Sequence, residues 1–132
     1  MGDRHNQIRK YQFFTNASMS GTSTITSTPP SNIQFLDDIG IQLNWSGSPV
    51  GNFQIQVSAD YDPNEGIAGA WVPILFTYWN GASFITDINV PTTMGSPYYF
   101  DLTLLSAPYL QVVYTNTSGM GTLNGFITAK AL

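Results

Sequence analysis

The stretch Gly40–Ser58, GIQLNWSGSPVGNFQIQVS, alternates apolar and polar residues on both sides of a Gly/Pro turn. Ile41, Leu43 and Trp45 share one phase against Gln42 and Asn44. Phe53, Ile55 and Val57 share another against Asn52, Gln54 and Gln56. Successive side chains of a strand point to opposite faces, so this period marks half-buried antiparallel strands. The intervening GSPVG (47–51) has the length and composition of a hairpin turn. Two strands joined by that turn are expected here.

The same period recurs outward in both directions. Strand-like runs occupy 71–79, 83–90, 98–105, 109–117 and 122–132 downstream, and 22–28 and 33–38 upstream. Gly, Pro, Asn and Ser punctuate them about every ten residues. Pro73 confines its run to an edge or a bulge, because proline cannot donate to a central ladder. No segment sustains a helical period. The expectation is an all-β chain: one antiparallel β-sandwich, jelly-roll-like or Ig-like, of about eight short strands over residues 15–132, with a flexible N-terminal arm over 1–14.

Composition narrows the function. In 132 residues, 42% are hydrophobic and only 9% charged, so a core is feasible while Thr, Ser, Asn, Gln and Gly supply the polar surface. A surface so poor in charge suits a protein that works assembled. There is no cysteine, hence no disulfide framework, thiolate nucleophile or Cys-based zinc site. The start, MGDRHNQIRK, lacks the apolar run of a signal peptide, so synthesis in a cytoplasm is expected, and no stretch is long and apolar enough to suggest a membrane span. Arg4, Arg9 and Lys10 against Asp3 give the first ten residues a charge of +2, while Lys130 against seven acids gives the rest −6. A basic arm on an acidic body is suited to reaching an acidic neighbour, whereas three cations neutralise too few phosphates for a nucleic-acid partner. Arg4, Arg9 and Lys10 are therefore candidate partner-binding residues, with Tyr11, Phe13 and Phe14 filling an apolar groove beside them.

Chemistry-bearing residues are few. Asp60, Asp62 and Asn64 in SADYDPNEG (58–66) have the one-three-five spacing of a calcium loop, but Glu65 stands where the glycine belongs and Trp71 where the bidentate glutamate belongs. A polar crossover between strands is the preferred reading, and no metal or cofactor is expected. The single histidine, His5, lies in the arm, and no serine has an evident activator. Asp60 or Asp62 with Asp87 or Asp101 are the carboxylate pairs open to glycoside hydrolysis. Solvated acids are the simpler reading, and no enzymatic activity is expected. Aromatics are 14% of the chain, and Tyr61, Trp71, Tyr78 and Trp79 near strand ends are candidate ligand-facing rings. Trp45 and Phe53 sit in the apolar phase and read as core. Sequons at Asn16, Asn44 and Asn116 carry no weight in so Asn/Ser/Thr-rich a chain.

Two blocks, IQLNWSGSPVGNFQIQVSADYDP…WVPI and PYLQVVYTNTSGMGTLNGFITAKAL, together resemble small structural proteins encoded by tailed phages and prophages. They cover about half the chain, residues 40–79 and 107–130. The resemblance implies a virion component: a head decoration (cement) or auxiliary capsid protein, or a tail or fibre accessory. Such proteins oligomerise, as trimers or dimers, and clamp a major capsid protein or another virion protein. This chain departs from the pattern in its longer SADYDPNEGIAGAW turn and in Gln111, where arginine is common. The competing expectation is a carbohydrate-binding β-sandwich module or tail adhesin, using the exposed rings.

Overall fold

The computed structural model describes residues 8–34, 36–102 and 106–131. Twelve strands run in chain order: β1 (Ile8–Ser20), β2 (Thr24–Thr26), β3 (Ser31–Asn32), β4 (Leu36–Gly47), β5 (Val50–Ser58), β6 (Val72–Pro73), β7 (Phe76–Trp79), β8 (Phe84–Asp87), β9 (Val90–Pro91), β10 (Tyr98–Leu102), β11 (Tyr109–Ser118) and β12 (Met120–Ala131). Several are longer than the short strands expected. A 3-10 turn, Thr92–Met94, links β9 to β10.

One sheet has the order β1-β12-β4-β10. The other has the order β2-β11-β5-β6, with β3 continuing the β2 edge along β11 and β9 continuing the β6 edge along β5. All pairings are antiparallel. The two sheets form the expected sandwich, with Ile41, Leu43, Leu123 and Ile127 from the first meeting Phe53, Ile55, Val112 and Tyr114 from the second. With β7 and β8 forming a separate two-stranded sheet, counting β2/β3 and β6/β9 as single rows leaves eight. Apart from β5–β6, the connections between rows all cross from sheet to sheet. That is jelly-roll topology rather than the immunoglobulin arrangement. Each fully buried large side chain contributes about 1.5–3 kcal/mol. By contrast the Lys130–Asp38 ion pair, at 3.2 Å with both side chains 44% exposed, contributes about 0–1 kcal/mol. The core holds the fold.

The turn at 47–51 is not a hairpin. β4 and β5 lie in different sheets, so Gly47–Gly51 is an arch that carries the chain across the core. The link from β11 to β12 is a second arch at the same end, and the two stack. Gly47 pairs with Gly121, Val50 with Ser118, and the Ser48 N–H donates to the Met120 carbonyl at 3.0 Å. The contact is backbone on backbone: a Cβ on Gly47, Gly119 or Gly121 would run into the carbonyl oxygen of Met120, Ser48 or Ser46. Gly47 and Gly119 also hold φ of 80° and 72°. Two buried polar residues fasten this end. Thr92 Oγ1 donates to the Pro49 carbonyl (3.0 Å) and accepts from the Gly51 N–H (3.2 Å). Asn116 accepts from the Tyr114 hydroxyl (2.6 Å) and donates to the carbonyls of Gly21 (2.8 Å) and Gly119 (3.1 Å). Burial pushes the Tyr114 hydroxyl up to about 12.

Residues 8–14 are not an arm. β1 pairs along β12 from Ile8↔Lys130 to Ser20↔Met120, so a boundary at 14/15 falls inside a strand. Two bulges interrupt the pairing around Phe14. Asn16 adopts φ of 48° there, its N–H donating to Asn124 Oδ1 at 2.9 Å. The bulges turn Phe13 and Phe14 onto Gly125, where a Cβ would meet both rings. Pro73 lies in the edge strand β6, as its ring requires.

Candidate interaction surfaces

The acidic loop between β5 and β6 is organised by its own carboxylates. Asp60 Oδ1 accepts from the Ala70 N–H (2.8 Å) and the Ser58 hydroxyl (3.0 Å), and Ser58 Oγ in turn accepts from the Tyr61 N–H (3.0 Å). Asp62 Oδ1 accepts from the N–H groups of Asn64 (3.0 Å) and Glu65 (3.2 Å), shaping a turn closed by the Asp62–Ile67 bridge. These are turn-forming contacts in which the acids serve backbone amides rather than converging on one point. Among the described residues no cluster of three metal-ligating side chains forms. The Ala70 amide, followed by the Ser58 hydroxyl, holds the Asp60 carboxyl below its ordinary value of 3.8. Its contribution is therefore present above the ordinary carboxyl range and lost as pH falls through the depressed value. Protection of the Ala70 amide, its exchange relative to the intrinsic rate at the same pH, is expected to fall as pH drops below the ordinary carboxyl value of 3.8, and Asp60→Asn to weaken that acid step. Protection that does not change with acid in the wild type would contradict the assignment.

The candidate carboxylate pairs are separated by the topology. Asp60 and Asp62 follow β5 of the second sheet, whereas Asp101 is an exposed residue of β10 in the first. Asp87, on β8, accepts from the Asn89 N–H at 3.0 Å.

The four candidate aromatics divide. Tyr61 and Trp71 pack against each other at a tilt of 48° (5.5 Å between centroids), and Tyr61 meets Tyr109 edge-on (4.8 Å). Their faces anchor the loop to β11. Tyr78 is half-buried beside Tyr98, and burial, then the Asp87 charge, raises its hydroxyl. Trp79 alone of the four is strongly exposed, at 51%. It pairs across the β7–β8 hairpin with Phe84, 73% exposed, the rings 5.1 Å apart and near perpendicular.

This hairpin projects from the β6/β9 edge, its inner face tied to β10 by the Phe76–Phe100 contact (4.9 Å). Asn80 Oδ1 fixes the turn, accepting from the N–H groups of Ala82 (2.9 Å) and Ser83 (2.8 Å). The outer face presents Thr77, Trp79, Phe84 and Thr86, with exposed Leu75 leading in, and no charge. Phe84 and Leu75 were missed in the sequence. The signal was the Asn80–Ser83 turn after Trp79, which makes residue 84 its cross-strand neighbour.

Of the N-terminal candidates, Arg4 lies outside the described residues. Phe14 is 5% exposed and belongs to the protein's own core, so it is unavailable to fill a neighbour's groove, and Phe13 packs half-buried beside it. Lys10 sits 5.6 Å over the Phe126 ring on the outer face. Arg9 and Tyr11 point the other way. They pair with Ala129 and Ile127, whose side chains are buried, so they lie on the inner face of the first sheet. With Leu36, Ile127, Ser31 and Asn32 they line a groove of about 390 Å³. Of the sequons, Asn116 is buried and fully hydrogen-bonded, which removes it as a glycan acceptor.

No protein-family profile and no curated protein sequence matches the chain. Among solved structures, the fold is similar to that of a chain in the structure of infectious bursal disease virus, Gx strain, at 10% identity and a TM-score of 0.52. The similarity covers 95% of this chain and 32% of the viral one, so this chain spans about a third of that length.

Proposed function

We propose that this chain is a virion structural protein, and within that class a head decoration protein of a tailed phage that binds neighbouring capsid subunits and copies of itself. The observation that carries the reading is the jelly roll itself: nearly the whole chain follows the course of a chain in a virus particle. Three features support it. The two sequence blocks resemble phage structural proteins. The described carboxylates Asp60, Asp62 and Asp87 are engaged with backbone amides, in keeping with a passive, non-enzymatic role. The Trp79–Phe84 face is uncharged and open to solvent, as a contact surface should be. The major capsid protein is the proposed partner and the virion the proposed location. Nucleic acid and membrane are not proposed partners.

Mass spectrometry of purified particles should find the chain, and particles lacking it should lose integrity at lower temperature or milder osmotic shock. Particles without the chain, or equally robust after its deletion, would sink the proposal. Exposed Trp79 also favours a second reading, a glycan-binding adhesin. That reading requires glycan-array binding that Trp79→Ala removes.

A further inference from the structure

We propose that the aromatic tip of the β7–β8 hairpin inserts into the Arg9–Tyr11 groove of a second copy, joining copies head to tail. Both halves of the contact are on the one molecule. The tip is two rings locked edge to face on a hairpin whose turn is hydrogen-bonded in place. The groove, about 390 Å³, is within the size range that accepts bulky side chains or small ligands. Its apolar surface is Leu36, Ile127 and the Tyr11 ring, and Ser31 and Asn32 are its polar members.

Charge selects the occupant. Among the described residues Arg9 faces no carboxylate within salt-bridge distance, although the chain as a whole is acidic. A guanidinium beside an apolar groove favours an aromatic face, on which it stacks, and arginine with tryptophan is the strongest such pairing. The hairpin face offers two rings and no charge of its own, so nothing opposes Arg9. Geometry makes the contact intermolecular. The groove lies along β1 and β12, with Leu36 of β4 also lining it, whereas the hairpin packs against β10 at the opposite edge of the first sheet. Knob and groove on different surfaces form a heterologous contact, which closes into a ring or continues as a row. The two rings bury roughly 300–500 Å² from the knob side, less than the ~800 Å² per partner of a stable interface. The contact is therefore weak between two free chains and gains strength where several copies close a ring or sit in register on a surface.

This inference rests on the self-association in the proposed function, but not on a virion. The chain has no cysteine, so paired single-cysteine variants report the contact directly. Chains carrying Ala82→Cys in the hairpin turn, mixed with chains carrying Asn32→Cys at the groove rim and oxidised, should give the mixed disulfide dimer in severalfold excess over both like-with-like dimers. Adding Arg9→Glu to the Asn32→Cys chain, or Trp79→Ala to the Ala82→Cys chain, should remove that excess. Both sites are exposed, so circular dichroism and the melting temperature should stay near wild type. Dimers in the statistical proportion from folded chains, or an excess indifferent to Arg9→Glu, would overturn the contact. The same mixture is informative without particles: mixed dimers with no particle binding by the wild type would retain the contact and defeat the virion reading.

Discussion

Gly119→Ala is expected to destabilise the fold by about 2–5 kcal/mol, read as a lower urea midpoint with an unchanged slope. Two costs add. A non-glycine residue in the left-handed region loses about 1–2 kcal/mol, and Gly119 holds φ of 72°. The new methyl then meets the backbone oxygen of Ser48 in the stacked arch. Backbone cannot swing aside as a side-chain tip can, so the arches must separate, at a further cost of about 1–3 kcal/mol. Gly66→Ala is the control. Gly66 has φ of 70°, but nothing lies within 4 Å of its would-be Cβ, so only the first cost applies. Equal losses at the two positions would mean that the stacking of the arches contributes nothing.

Asn116→Ala is expected to cost about 3–5 kcal/mol. Asn116 is 1% exposed, and its side chain serves the Tyr114 hydroxyl and the Gly21 and Gly119 carbonyls. Each buried polar group left without a partner costs about 1–3 kcal/mol. Against a typical total of about 5–15 kcal/mol, the loss is a large share. Tyr114→Phe should cost less, since it orphans one lone pair while keeping both donors satisfied. In a double-mutant cycle, Tyr114→Phe should then be cheaper in the Asn116→Ala background than in wild type. Additive losses would mean that the two side chains act separately. Asn116→Asp keeps the shape but removes two donors and buries an acid. It should be most harmful at neutral pH and partly recover as pH falls, because a buried carboxyl is raised and is tolerated once protonated.

The strands were legible in the sequence because period two survives any pairing scheme. The pairing was not. Gly40–Ser58 reads the same whether its turn folds β5 beside β4 or carries it to the facing sheet, since either way the apolar phase meets the core. Only the partners decide, and these, β11 and β12, lie more than fifty residues downstream. The basic start of β1 misled for a related reason: charge and exposure mark an edge strand as readily as a mobile arm. Of the ring candidates, composition located all four, but whether a face is free depends on non-local neighbours. Tyr109 occupies Tyr61, whereas Trp79, touched edge-on by Phe84, stays half exposed.

The placement of β12 bears on how the chain is made. It is an interior strand of its sheet, hydrogen-bonded to β1 on one side and β4 on the other. Contacts across the β1–β12 pair join residues 112 positions apart, as at Gln12 and Asn124. Until β12 leaves the ribosome, β1 and β4 have no common partner: β1 lacks its neighbour in this sheet and β4 has only β10. Folding of that sheet therefore waits for β12, and is slow by the usual cost of closing long loops. Nascent chains stalled before Met120 would carry unpaired strand edges, the natural clients of a holding chaperone.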